Sequence, residues 1–175
     1  MKRLRRLVWF IASRLVFITS ILGLMTVAFY FSMNAANIFV ILKDGMAQRA
    51  LTVMTNQQGG DLDKYFSPAY LALDPRLATL RDGNNPYERY QVTGIDHRLR
   101  LEWVWAWPWE DIARATVTEN VPAIDGRIRG EYRETTPQER WSPPRWPSAR
   151  YDVILIRENG QWHIRELQNE RAYTP

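Results

Sequence analysis

Tyr90-Gln91-Val92-Thr93-Gly94-Ile95-Asp96-His97-Arg98-Leu99-Arg100-Leu101-Glu102-Trp103-Val104-Trp105-Ala106-Trp107 is the stretch on which the fold turns. Leu99, Leu101, Trp103, Trp105 and Trp107 occupy alternate positions, with Arg98, Arg100 and Glu102 between them. Period two means a strand with one apolar and one polar face. Gly94 marks a bend or bulge within it. The expectation is that the tryptophan face forms the core of the sheet, because each ring can bury on the order of 150–250 Å². The competing expectation is that the face points outward. Trp103, Trp105, Trp107 and Trp109 would then form an interface with a protein partner or the lipid surface.

Downstream, Pro108-Trp109-Glu110-Asp111 turns the chain, and a second strand, from Ile112 to Val121, carries Ala113, Ala115 and Val117 on one face. A second hairpin pairs Tyr151 to Ile156 with Gln161 to Leu167 around Glu158-Asn159-Gly160, Asn-Gly being the preferred two-residue hairpin turn. Four antiparallel strands result. Between the hairpins, residues 125–148 hold four prolines and nine charged residues, which predicts a long surface connection. Its Trp141 and Trp146 either fold back on the sheet or bind a partner.

Upstream, the period changes from two to three or four. Ile38, Leu42, Met46, Ala50 and Val53 or Met54 form one helical stripe between Asn34 and Thr55. Either Asn34 caps this helix or a preceding helix runs on into it, and Gly59-Gly60 ends it. Asp61-Leu62-Asp63-Lys64-Tyr65-Phe66 reads as a single helical turn. Ser67-Pro68 and Asp74-Pro75 each set a capping side chain before a proline at the first helical position, predicting two short helices that close at Asp82-Gly83.

The 175-residue chain has 23 Lys and Arg against 19 Asp and Glu, a pI near 9.6 and no cysteine. Absence of thiols excludes disulfide frameworks, cysteine metal sites and a thiol nucleophile. The basicity is local. Lys2, Arg3, Arg5, Arg6 and Arg14 precede the first acid, Asp44, and without these five the remainder carries a net charge of −1. Leu15 to Met33 follows without a charge. As a helix it spans roughly 28 Å, against a hydrocarbon core of about 30 Å. It is longer than the apolar part of a signal peptide, carries Phe29, Tyr30 and Phe31 at its outer end, and offers only Ala35 and Ala36 as poor small residues for cleavage. The expected plan is a basic cytoplasmic stub at 1–14, a membrane span at 15–33 and an extracytoplasmic domain at 34–175. The five basic residues set the orientation, so nucleic acid is not an expected partner.

One long helix, two or three short helices and a bent four-stranded antiparallel sheet resemble the cone-shaped α+β fold of the NTF2-like (cystatin-like) superfamily. The residues that carry the resemblance are the helix Ile38–Met54, the stretch Asp61 to Leu71 and the two hairpins. A short tail, one span and one exported domain of this kind is similar to the assembly-factor subunits of type IV secretion and conjugation channels. The resemblance implies a non-enzymatic module for protein–protein assembly in the cell envelope, with an envelope protein or a second copy as partner. The alternative it implies is a membrane-tethered pocket protein, ligand-binding or isomerase-like, with Tyr65, Tyr70, Asp96 and His97 as candidate polar groups inside the cone. Alternation sends one of Asp96 and His97 inward. The motifs of conventional catalysis are missing: Gly59-Gly60 precedes no lysine, Ser67 and Ser148 have no nucleophile elbow, and two histidines without nearby acids of ligand spacing make no metal site. No cofactor is expected.

Overall fold

A computed structural model describes residues 2–57 and 61–173. Gly59-Gly60, expected to end the long helix, lies outside the described residues, as do the side chains of Lys2, Arg3 and Arg5.

The first element is one unbroken helix, α1 (Lys2–Thr55), so of the two readings at Asn34 the continuous one holds. Its most apolar 18-residue window has a mean hydropathy of 2.0 and no residue buried against the rest of the chain. By length and composition this helix is capable of crossing a bilayer. Farther along, the stripe Ile38, Leu42, Met46, Ala50 and Met54 is wholly buried. A 3-10 turn (Leu62–Lys64) leads to α2 (Pro68–Leu73) and α3 (Pro75–Arg81). Both expected caps form: Ser67 accepts from the Tyr70 amide and Asp74 from the Arg76 amide at 2.9 Å.

The sheet is an antiparallel meander in the order β1-β2-β3-β4, made of β1 (Tyr90–Trp105), β2 (Ile112–Ile128), β3 (Ala149–Glu158) and β4 (Gln161–Ala172). It curls as a half-barrel around the inner part of α1. A parallel bridge from Phe66 to Ile164 adds the beginning of a fifth strand. Asn159 and Gly160, at φ 52° and 81°, make the primed turn that their sequence called for. The core combines the α1 stripe and Phe66 with Ala113, Ala115 and Val117 of β2, Tyr151, Val153 and Leu155 of β3, and Trp162 and Ile164 of β4. Gly45 is where the chain crosses close over α1: a Cβ there would stand 2.8 Å from the Cβ of Tyr65.

Three expectations are corrected. β2 runs on to Ile128, through Pro122 and Gly126, so the irregular connection begins at Arg129 and not at Asp125. Pro122 is tolerated because a register shift opens the ladder there, Asp96 pairing with Ala123 and Arg98 with Asn120. Trp146 is buried against Tyr87 and under the Arg76 guanidinium, 4.6 Å from the ring centroid, and therefore offers no free surface. The largest correction concerns β1. Leu101 pairs with Val117, but Trp103 pairs with Thr116, so Glu102 is an extra residue. A bulge of this kind breaks the alternation. Leu99 and Leu101 lie on the core side, as do Val104 and Ala106, whereas Trp103 and Trp105 face outward with Thr116 and Arg114.

Candidate functional site

The bulge at Glu102 creates an outward aromatic row. Trp103 and Trp105 stack with centroids 6.3 Å apart, Trp105 meets Trp107 edge-on at 5.3 Å, and Trp107 stacks on Trp109 at 4.9 Å. Trp103, Trp105 and Trp109 are 50%, 43% and 66% exposed. Ile112, across the turn, is exposed as well. Phe31 of α1 stands edge-on against Trp105 and Trp107, at 6.2 and 6.1 Å. The row therefore sits beside the outer end of the uncharged segment of α1. Next to it the convex sheet face is polar: Glu102 accepts from the Thr118 hydroxyl and pairs with Arg150 at 2.7 Å, and Thr116 donates to Asp152 at 3.0 Å. Trp141, at the rim of the connection, is half-exposed and donates its indole N–H to the Thr136 carbonyl.

A second arrangement lies inside the half-barrel. Arg49, on the buried side of α1, makes a bidentate pair with Asp74, the cap of α3. Neither is accessible to solvent beyond 3%. Burial by itself would raise the Asp74 pKa, but the hydrogen bonds and charge of Arg49, with the amides of Arg76 and Leu77, outweigh it and hold the carboxyl below its ordinary value. Across the barrel, His97 Nε2 lies 3.0 Å from Oε1 of the fully buried Glu119. Tyr70 and Tyr151 border the same region. Burial pushes both phenols up from their ordinary value, Arg49 opposing in each case, and burial also pushes Tyr87, beside Trp146, up to about 12.

Asp96 and His97 point to opposite sides, as alternation requires. His97 is the inward one. Asp96 is exposed and ion-paired to Arg98, which removes it as a base inside the barrel. Tyr70 reaches the buried charges, whereas Tyr65 packs on Gly45 with Lys64 over its ring. Arg49 and Glu119 escaped the sequence reading. Their signal was present: Arg49 falls on the apolar stripe of α1 between Met46 and Val53, and Glu119 continues the inward series Ala113, Ala115, Val117.

Chemically, the inner network holds its ionisable groups in pairs. None of the described cavities is lined by Arg49, His97 or Glu119. A cleft of about 380 Å³ lies elsewhere, among Val53, Arg76, Tyr87, Pro144 and Trp146. No three His, Asp or Glu side chains among the described residues gather to hold a metal ion. The sequence matches no protein-family model and no curated protein, so the functional argument rests on geometry.

Proposed function

We propose that this chain is a single-pass membrane protein of the bacterial cell envelope whose NTF2-like exported domain is a non-catalytic module for protein–protein assembly. The observation that carries it is the continuity of α1: the helix whose segment 15–33 is uncharged on all sides supplies, without a break, the buried stripe of the domain. A domain built on its own anchor is held at fixed height and orientation above the bilayer, which suits scaffolding. The basic residues before the span place the amino terminus in the cytoplasm and residues 34–175 outside. The polar convex face around Arg100, Glu102, Thr118 and Arg150 is the surface offered to an envelope protein or a second copy. Photo-cross-linkers at Arg100 and Arg150, in the full chain in native membranes, are expected to give a discrete adduct of defined mass. Absence of any adduct, with a monomer at every concentration in detergent, would overturn the reading.

A tethered pocket protein is the second reading, favoured by a separate observation. Arg49 Nη1, His97 Nδ1 and Glu119 Oε2 are buried with no hydrogen-bonding partner among the described residues. Each such atom costs about 1–3 kcal/mol unless water or a ligand satisfies it. Native mass spectrometry of the full chain distinguishes the two readings: a co-purified small polar molecule supports the pocket, and the bare mass removes it.

A further inference from the structure

Among the described residues outside α1, Trp103, Trp105 and Trp109 are exposed in one row that the half-buried Trp107 joins, and an assembly face of polar character does not account for it. We propose that it is a lipid-docking edge: the β1–β2 hairpin tip rests in the headgroup layer of the same bilayer that α1 crosses, giving the domain a second point of membrane contact. This inference rests on the reading of α1 as a membrane span.

Depth is the first argument. With Arg14 at the inner boundary, Phe31 lies about 25 Å farther along the helix, within one or two turns of the outer edge of a hydrocarbon core of about 30 Å. Trp105 and Trp107 touch Phe31 and so share its level. That level is where tryptophan and tyrosine concentrate in membrane proteins, because an amphipathic ring has an apolar body and a polar N–H or O–H. Exposed Phe29 and Tyr30 on α1 lie at the same height, so helix and hairpin together form one girdle. Direction is the second argument. At its start, β1 is tied to the far end of α1, since the adjoining Asn85 donates to the Val53 carbonyl, and it ends beside Phe31. The strand thus runs back toward the membrane, and its turn, residues 106–111, is the lowest part of the hairpin. Charge is the third. Glu110, Asp111 and Arg114 surround Trp105 with both signs, which suits zwitterionic headgroups and predicts little dependence on anionic lipid. The bulge at Glu102 is the device that makes the edge, since without it Trp103 and Trp105 would point into the core.

The chain has no cysteine, so single labels are placed without first removing a native thiol. The full chain is reconstituted into phosphatidylcholine vesicles containing no other protein, with a nitroxide on Glu110→Cys, Tyr30→Cys or Glu134→Cys. Glu134 serves as the distant control: its neighbour Thr135 lines the cleft shared with Asn85. Depth is read from relative accessibility to oxygen and to a water-soluble nickel complex. The expected result is a Glu110 label at headgroup depth beside the Tyr30 label, with the Glu134 label fully in water. Adding Trp103→Ser and Trp109→Ser, both at exposed positions, moves the Glu110 label into water while the Tyr30 label stays. A Glu110 label in water with Tyr30 in lipid overturns the docking edge and leaves the span standing. A Tyr30 label in water overturns the span and the edge together. Spin–spin coupling between Glu110 labels of two copies overturns lipid as the occupant.

Discussion

The two halves of α1 are built from similar residues and meet opposite surroundings. Around Leu15 to Phe31, leucine, isoleucine, valine and phenylalanine appear on every side and most are exposed, whereas from Ile38 to Met54 the stripe Ile38, Leu42, Met46, Ala50 and Met54 is buried while Val40, off the stripe, is exposed. Composition alone does not separate the halves. Angular distribution does: a helix apolar all round has no polar face to show to water, and a striped one has a single face to give to a sheet. The glycines repeat the lesson. An added Cβ at Gly23 meets nothing within 4 Å, while at Gly45 it meets Tyr65 and Ile164.

The comparison breaks most visibly at Arg49, the one charge on the buried stripe. Asp74→Ala leaves that guanidinium buried and unpaired and is expected to cost about 3–5 kcal/mol, read as a lowered midpoint of thermal unfolding by near-UV circular dichroism in detergent. In the wild type a loss of the same sign is expected with acid. The folded Asp74 pKa lies below the unfolded value of 3.8, so the stabilisation is complete above that value and disappears as pH falls through the folded pKa. A flat stability profile from pH 5 to pH 2 would contradict the assignment. The alkaline limb has the opposite sign. Tyr70, Tyr87 and Tyr151 have raised pKa values, so their contribution is present below about 10 and is lost as pH rises beyond it.

Next in size is Leu42→Ala, expected to destabilise the domain by about 2–5 kcal/mol by opening a cavity, whereas Leu24→Ala changes domain stability by no more than about 0.5 kcal/mol. Equal effects would erase the difference between the halves. Smaller again is the glycine pair. Gly45→Ala forces Tyr65 to move, and this overpacking outweighs the gain of about 1 kcal/mol in helix propensity, for a net loss of roughly 1 kcal/mol. Gly23→Ala, with open space around it, is expected to lower no midpoint. Smallest is Arg98→Ala, which removes an exposed pair with Asp96 and should leave the midpoint unchanged.

The legible part of this chain was its local chemistry. The caps at Ser67 and Asp74, the Asn159-Gly160 turn, the stripe from Ile38 to Met54 and the presence and antiparallel pairing of four strands, though not the far ends of β1 and β2, follow the residues, because each depends on neighbours within a turn or a pleat. The candidate site was less legible. Arg49 meets Asp74 across 25 positions and His97 meets Glu119 across 22, and nothing local to either pair announces its partner. A charge on an apolar face shows that a partner must exist, but not which residue it is.

For the tryptophans the division is sharper still. The sequence by itself determined that Trp103 and Trp105 lie on one side of a strand, with Trp107 just beyond its end, since side-chain period two is a property of extended backbone. Which side that is, only the tertiary structure decided. Glu102 is one residue too many for the β2 ladder, and a single inserted residue reverses every side chain beyond it. An insertion is defined only against a paired strand, so the outward turn of the tryptophans belongs to the register between β1 and β2 and to no stretch of sequence read alone.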